Sequence, residues 1–302
     1  MAPKFQDSIL QRFFFNVLTL GVTFWILKKY LAVPRNGLSI EKTVLTFSLS
    51  MALGSVAYLL TQTVDVILLR AMMDAKEVGY YSAGIRIPKL IQGMLLTPLQ
   101  IPFLYYFSHP DSKKITRQII EFGTKIIAFA TGIGSLLLFT FADKIVLIVF
   151  GAPFENSINV LRIFSAHFFL LGFFTFVGPF FLSIKKPLVP VFLGLLGFAV
   201  NLIFDLILIP YWGAAGAALA GIICILAEMF VYLALMEKKY SIRISPKSLC
   251  LLILFGLSIL VGMKVSVFLS MPVFVAACLA LKIVDIEDLK KMAALIKEKK
   301  AR

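Results

Sequence analysis

The residues of this chain that can do chemistry are charged and polar side chains set inside long apolar runs. Ser82, Arg86, Lys89, Gly93, Thr97 and Gln100 follow one another at steps of three or four. That spacing lines them up along one face of a helix. Arg117, Glu121, Lys125, Ala128, Gly132 and Ser135 repeat the pattern in the next run, and Ser50, Gly54, Thr61 and Asp65 occupy the preceding one. A charge at the centre of a bilayer costs at least about 2.5–3.5 kcal/mol, so such a residue faces a cavity or a partner. Three neighbouring stripes predict a shared water-filled cavity. Arg86, Lys89 and Lys125, with the Gln100 amide, are its candidates for binding an anionic substrate group, arginine being suited to planar multidentate contact. Asp65, Asp205 and Glu228 are the candidates for a coupling proton or cation.

Each of these has a plainer alternative. Arg86, Lys89 and Lys125 can snorkel to the nearer interface. Asp65 can sit at the interface or pair with Arg86. Asp205 and Glu228 can hydrogen-bond to one another across a helix pair. His167 can be a packed helix-interface residue.

The elements that must position these residues are membrane helices. Of 302 residues, 60% are hydrophobic and only 15% charged, and the mean hydropathy is +0.95. A soluble fold of this length cannot hide so much apolar surface. The runs are long and continuous, unlike the short alternating strands of a membrane barrel. The fold class is therefore all-α and polytopic, with about nine spans near 9–27, 44–69, 85–107, 119–141, 160–184, 188–210, 214–236, 248–267 and 269–284. The last two share a short stretch containing Lys264, so a re-entrant hairpin is the alternative there. Pro88, Pro98 and Pro102 all fall in the third span. Proline frees a backbone carbonyl, so that helix is expected to bend.

The net charge is +14. Its Lys and Arg residues lie mostly between the apolar runs and at the C-terminal end, which points to membrane topology and not to nucleic acid. With the loop after the first span placed in the cytoplasm, twenty of the 30 Lys/Arg fall in cytoplasmic segments and seven on the opposite side. The positive-inside bias then sets the N-terminus outside and the C-terminus in the cytoplasm, in a plasma membrane. Lys28-Lys29 follow the first run where a signal peptide would carry small residues, so none is evident. Three segments result: 1–37, a first helix with its cytoplasmic loop; 38–284, the main membrane body; and 285–302, whose Ile286, Leu289, Ala293 and Ile296 alternate with lysines as in a basic amphipathic helix on the inner leaflet. The three cysteines lie in apolar runs and suggest no disulfide. No phosphate-binding glycine loop, metal cluster or nucleophile elbow is present, so neither an enzyme nor a cofactor is expected.

Three stretches carry a family resemblance. "LTQTVDVILLRAMMDAKEVGYYSAGIRI", "ADKIVLIVFGAPFENSINVLRIFS" and "NLIFDLILIPYWGAAGAALAG" resemble, in order and spacing over about residues 40–302, the second half of the polysaccharide-export flippases. These are relatives of the multidrug and toxin extruders and of the lipid II flippases. The resemblance implies one lobe of a two-lobe fold of twelve to fourteen helices around a central cavity, here the last helix of the first lobe and the whole second lobe. It further implies translocation of a polyprenyl-pyrophosphate-linked oligosaccharide by alternating access, with Arg86 and Lys89 on the cavity-lining helix. A truncated product, half of a split pair and a homodimerising half all fit the missing lobe. Two other functions compete: a cation-coupled multidrug antiporter of the same superfamily, which would want an acidic cavity, and a non-transporting scaffold for a glycosyltransferase or polymerase. The expected partners are the lipid-linked oligosaccharide, membrane lipids and another lobe or second copy.

Overall fold

A computed structural model describes residues 42–109, 113–240 and 246–281, with Gly21, Ile242 and Ile283. The chain divides into two compact units, Met1–Thr46 and Phe47–Arg302. Everything below concerns the second unit, apart from the start of its first helix. The expected first span and the basic tail at 285–302 lie outside the described residues, except for Gly21, which is helical.

No strand occurs among the described residues. Helix α1 covers Lys42–Met72. Asp74 then caps α2 (Ala75–Leu95): its Oδ1 accepts the N–H groups of Lys76 at 3.1 Å and Glu77 at 3.0 Å, satisfying donors that the first helical turn leaves free. A 3₁₀ turn at Thr97–Leu99, with Pro98 in it, separates α2 from α3 (Gln100–Phe107). This is where the prolines predicted a bent element. Next come α4 (Lys113–Thr140), α5 (Ala142–Val149), α6 (Ser157–Phe174), α7 (Val177–Ser183), α8 (Leu188–Tyr240), α9 (Pro246–Lys264) and α10 (Ser270–Ala280).

Among the described residues, six stretches are long and apolar enough to cross a membrane, and Val267–Ala280 forms a shorter apolar helix. The 53 residues of α8 would measure about 80 Å if straight, against a hydrocarbon core of about 30 Å. They are not straight. Gly213 has φ 52° and ψ −129° inside the helix, and the chain reverses there. A Cβ placed on Gly216 would collide with the backbone carbonyl of Leu208, and one placed on Gly197 would meet Glu228 and Cys224. Both pairs sit symmetrically about residue 213, so α8 is an antiparallel helical hairpin with arms 188–212 and 214–240. It supplies two of the expected spans.

The connections gather at two ends. Glu77 Oε2 accepts the Ala214 N–H at 2.7 Å, Tyr80 packs on Phe154, Arg162 pairs with Asp143 at 2.8 Å, and Thr140 bonds Val267 and Ser270. At the opposite end Phe107 meets Phe180, Tyr240 packs edge-to-face against Phe180 and Phe181, and the Lys186 ammonium stands over the Tyr240 ring. This alternation is what the span count requires.

At the centre stands α6, buried on nearly every side through Val160, Leu161, Phe164, Phe168, Phe169 and Phe173. Lipid supplies no hydrophobic drive between membrane helices, so close approach and interhelical hydrogen bonds hold them together. Gly172 of α6 lies directly against Ala128 and Thr131 of α4, and Ser135 Oγ donates to the Ser165 carbonyl. Gly132 accommodates the ring of Phe274. The small-residue stripe of α4 is therefore a packing seam. The expectation that it lines a cavity shared with α1 and α2 is corrected: glycine and serine at helical spacing serve close packing equally well.

Gly213 adopts a backbone conformation open to glycine alone, and a side chain there would strike Glu77. Gly213→Ala should cost on the order of 1–3 kcal/mol and lower the thermal midpoint in detergent. Gly178→Ala, in a helix with open space around it, should leave the midpoint unchanged or raise it.

Candidate functional site

Four buried polar side chains meet where α1, α2 and the first arm of α8 converge. Asp65 of α1 accepts hydrogen bonds from the Tyr81 hydroxyl of α2 and from Asn201 Nδ2 of α8. The same Asn201 nitrogen donates to Asp205 Oδ2 at 3.1 Å. Asp205 is fully buried, Asn201 and Tyr81 nearly so, and Asp65 is 7% exposed. Asp205 Oδ1 is buried and has no hydrogen-bond partner. Local sequence places these groups: Asn201 and Asp205 are four residues apart and so lie one above the other on one helix face. Two carboxylates bridged by a single amide repel one another unless a positive charge joins them.

One helical turn away lies a cavity of about 670 Å³, within the range of small-molecule sites, between α1, α2, α6, α7 and both arms of α8. Its polar members include Lys89, Gln62, Gln92, His167 and Glu228, with the hydroxyls of Ser55, Tyr58 and Thr61, and its walls toward the Tyr240 end are apolar, with Leu182, Pro187, Pro190 and Val191. Lys89 Nζ donates to Gln62 Oε1 at 3.0 Å and stands 5.9 Å over the Phe164 ring, on which His167 stacks at 4.5 Å. The lysine is thereby held by an amide and an aromatic face.

The seven candidate residues separate into four places. Asp65 and Asp205 come together through Asn201. Lys89 and Glu228 line the cavity. Arg86 and Gln100, with Ser82, Gly93 and Thr97, form an exposed strip on α2 and α3. Lys125 is 3% exposed inside α4 and lies away from the cavity. Neither a pairing of Asp65 with Arg86 nor one of Asp205 with Glu228 occurs among the described hydrogen bonds and ion pairs. No group of three or more His, Cys, Asp or Glu side chains comes together as a metal site among the described residues.

The model of the "Lipid II flippase MurJ" family matches residues 17–284, most of the chain. The chain belongs to that family. A solved structure titled "Lipid II flippase MurJ, inward closed conformation" superposes with a TM-score of 0.55 at 15% identity, covering 78% of this chain and 52% of that one. The chain thus spans about half the length of the flippase it matches, and at that identity the likeness establishes the fold. No curated protein matches. The family is the lipid II branch of the superfamily in which the sequence resemblance placed the chain, and a multi-pass membrane protein of the flippase fold follows from it.

Among the members of the buried network and its cavity that sequence reasoning missed are Asn201, Tyr81 and Gln62. The spacing of Asn201 to Asp205 was a readable signal, because two polar residues one turn apart in an otherwise apolar helix face the same neighbour. Nothing local marks Tyr81 or Gln62, whose partners lie on other helices.

Removing the Tyr81 hydroxyl leaves Asp65 short of a buried donor. Tyr81→Phe should destabilise the folded chain by about 1.5–3 kcal/mol, the range for hydrogen bonds to charged groups. Tyr105→Phe, at a side chain 70% exposed, should change little. Thermal denaturation of both variants in the same detergent checks this.

Proposed function

We propose that this chain is the second lobe of a flippase that moves a polyprenyl-pyrophosphate-linked saccharide, a precursor of a cell-surface polysaccharide, from the inner to the outer leaflet of the plasma membrane. The family match supports a lipid-linked precursor as the substrate class. The observation that carries the reading is the strip of Ser82, Arg86, Gly93, Thr97 and Gln100 on the outer surface of the lobe. Polar groups facing lipid are costly, so this strip calls for a polar counter-surface on another lobe. A pyrophosphate crossing between two such surfaces needs cationic donors. Arg86 offers a fork of N–H groups, Gln100 an amide about four turns further on, and Lys89 a charge at the neighbouring cavity. Lys125, within α4, acts through the field it contributes. The lipid tail stays in the bilayer while the head group passes.

Asp65 and Asp205 are the proposed coupling site. Their carboxylate oxygens, which the Asn201 N–H2 group bridges, form a pocket in which a proton or a small hard cation removes the repulsion. A bound cation would tie α1 to α8, and its release would loosen them, which couples an ion gradient to lobe movement. Glu228 faces the cavity as the third acidic group. The Lys186 and Tyr240 end of the bundle, where the basic residues collect, faces the cytoplasm in this reading. A cation-coupled multidrug antiporter is the second reading, favoured by the same buried acids; the arginine on the outer strip favours the flippase.

The test is transport of a labelled lipid-linked saccharide by a complete two-lobe assembly in vesicles, scaled to inserted protein. Arg86→Ala should weaken substrate affinity about tenfold or more, Arg86→Glu should abolish transport, and Arg86→Lys should retain part of it. Equal activity of Arg86→Glu and the parent would remove the arginine from the substrate path.

A further inference from the structure

The cavity and the buried carboxylates are joined by one face of the α8 hairpin. Gly197, Asn201 and Asp205 stand at i, i+4 and i+8 on the first arm, so each is one turn, about 5–6 Å, from the next. The second arm brings Glu228 and Cys224 against Gly197. A Cβ at residue 197 would fall on Glu228 Oε1 and stand 3.1 Å from Cys224 Sγ. The missing side chain at Gly197 is what lets the Glu228 carboxylate lie flat on the first arm. Glu228 lines the cavity, and it has no hydrogen-bond or ion-pair partner among the described residues. It therefore does not tie the helices together. Behind it the Asn201 amide reaches both Asp65 and Asp205, and Asp205 Oδ1 is buried without a partner.

We propose that Glu228 is the entry carboxylate of a cation path that runs from the cavity, over Gly197 and past Asn201, to the Asp65/Asp205 pair. The inference rests on the reading of that pair as the coupling site. A cation moving from a wet cavity to a buried pocket must exchange water for protein oxygens. A carboxylate at the threshold supplies an oxygen part-way and raises the local cation concentration by its charge. Lys89 of α2, held by Gln62 of α1, disfavours a cation beside those helices and leaves the hairpin side as the route. The other titratable groups on the cavity wall are Tyr58, Cys224 and His167; the Tyr58 hydroxyl accepts from Gln62 Nε2 at 2.8 Å and the His167 ring stacks on Phe164.

The full chain in lipid nanodiscs is assayed for radioactive Na⁺ bound at equilibrium and for its rate of exchange against unlabelled Na⁺, with choline as the control cation. The parent should bind Na⁺ saturably, and Asp65→Asn and Asp205→Asn should each abolish binding. Glu228→Gln should bind the same amount at saturation but exchange at least fivefold more slowly. Glu228→Asp, which keeps the charge but draws it back by one methylene, should fall between. A merely structural glutamate would alter the amount of competent protein and leave the exchange rate alone. Absence of saturable binding in the parent, or parental binding in both aspartate variants, overturns the coupling reading and the path with it. Loss of binding in the aspartate variants with parental exchange in Glu228→Gln overturns the entry role alone, as does loss of binding capacity in Glu228→Gln. Where Glu228→Gln does not fold, a parental exchange rate in Glu228→Asp is the overturning result.

Discussion

Two carboxylates, Asp65 and Asp205, share the side-chain amide of Asn201 in a place that water does not reach. Burying even one such charge costs several kcal/mol unless partners meet it, and here the partners come from three separate helices. Asp65 brings α1, Tyr81 brings α2, and Asn201 with Asp205 brings the hairpin. Much of the rest of α1 is exposed, with Leu49, Leu53, Val56, Leu59 and Ile67 all on the outside. Its attachment to the lobe therefore depends heavily on polar bonds, this network and the Gln62–Lys89 pair above all. A helix held by a few buried polar bonds can exist in two positions when the charge between those bonds changes. One held by a broad apolar seam, as α4 is held to α6, cannot do so cheaply.

The network forms only because the hairpin folds at the right residue. Gly213 reverses the chain, Glu77 receives the first free N–H of the returning arm, and Gly216 lets the arms close against Leu208. Those three contacts at one end set the register all along the pair, down to Glu228 on Gly197. A shift of one residue would turn Asn201 or Glu228 by about 100° and separate the cavity from the acids behind it. Asp74 and Glu77 thus act at a distance: by fixing the start of α2 and the turn of α8, they decide which side chains meet near the middle of the lobe.

The architecture was legible in the sequence because its causes are local. Twenty-odd apolar residues make a span wherever they occur, proline interrupts α2 at 97–99, and lysines collect at one end of the bundle. The turn at 213 was legible as the break between two apolar runs. The site was legible only in part. Asp65, Asp205, Lys89 and Glu228 stood out as charges in apolar surroundings, yet their grouping depends on which helices touch, which periodicity does not encode. The stripes of α2 and α4 looked alike on paper. In α4, Ala128, Gly132 and Ser135 meet another helix, whereas in α2, Ser82, Arg86 and Gly93 meet no other part of the described lobe. The same spacing thus serves a seam in one helix and an open face in the other, and only the neighbours of each helix distinguish them.

That open face and the cavity lie on different sides of α2. Arg86 is exposed, while Lys89, three residues on, turns inward to Gln62 and Phe164. One helix therefore presents a cation to each of two compartments, with Pro88 between them in sequence. Lys89 is also joined, through Gln62 on α1, to the helix that carries Asp65 three residues later. A change of charge at the Asp65/Asp205 pair that moves α1 must pull or release Lys89, and α2 with it. Because Arg86 is rigidly continuous with Lys89 through less than one turn, the face that would meet another lobe moves in the same step. In the proposed function this linkage is the route by which the two sites would be coupled: the proposed ion site and the proposed substrate face share α2, so a shift of α2 that favours one would act on the other.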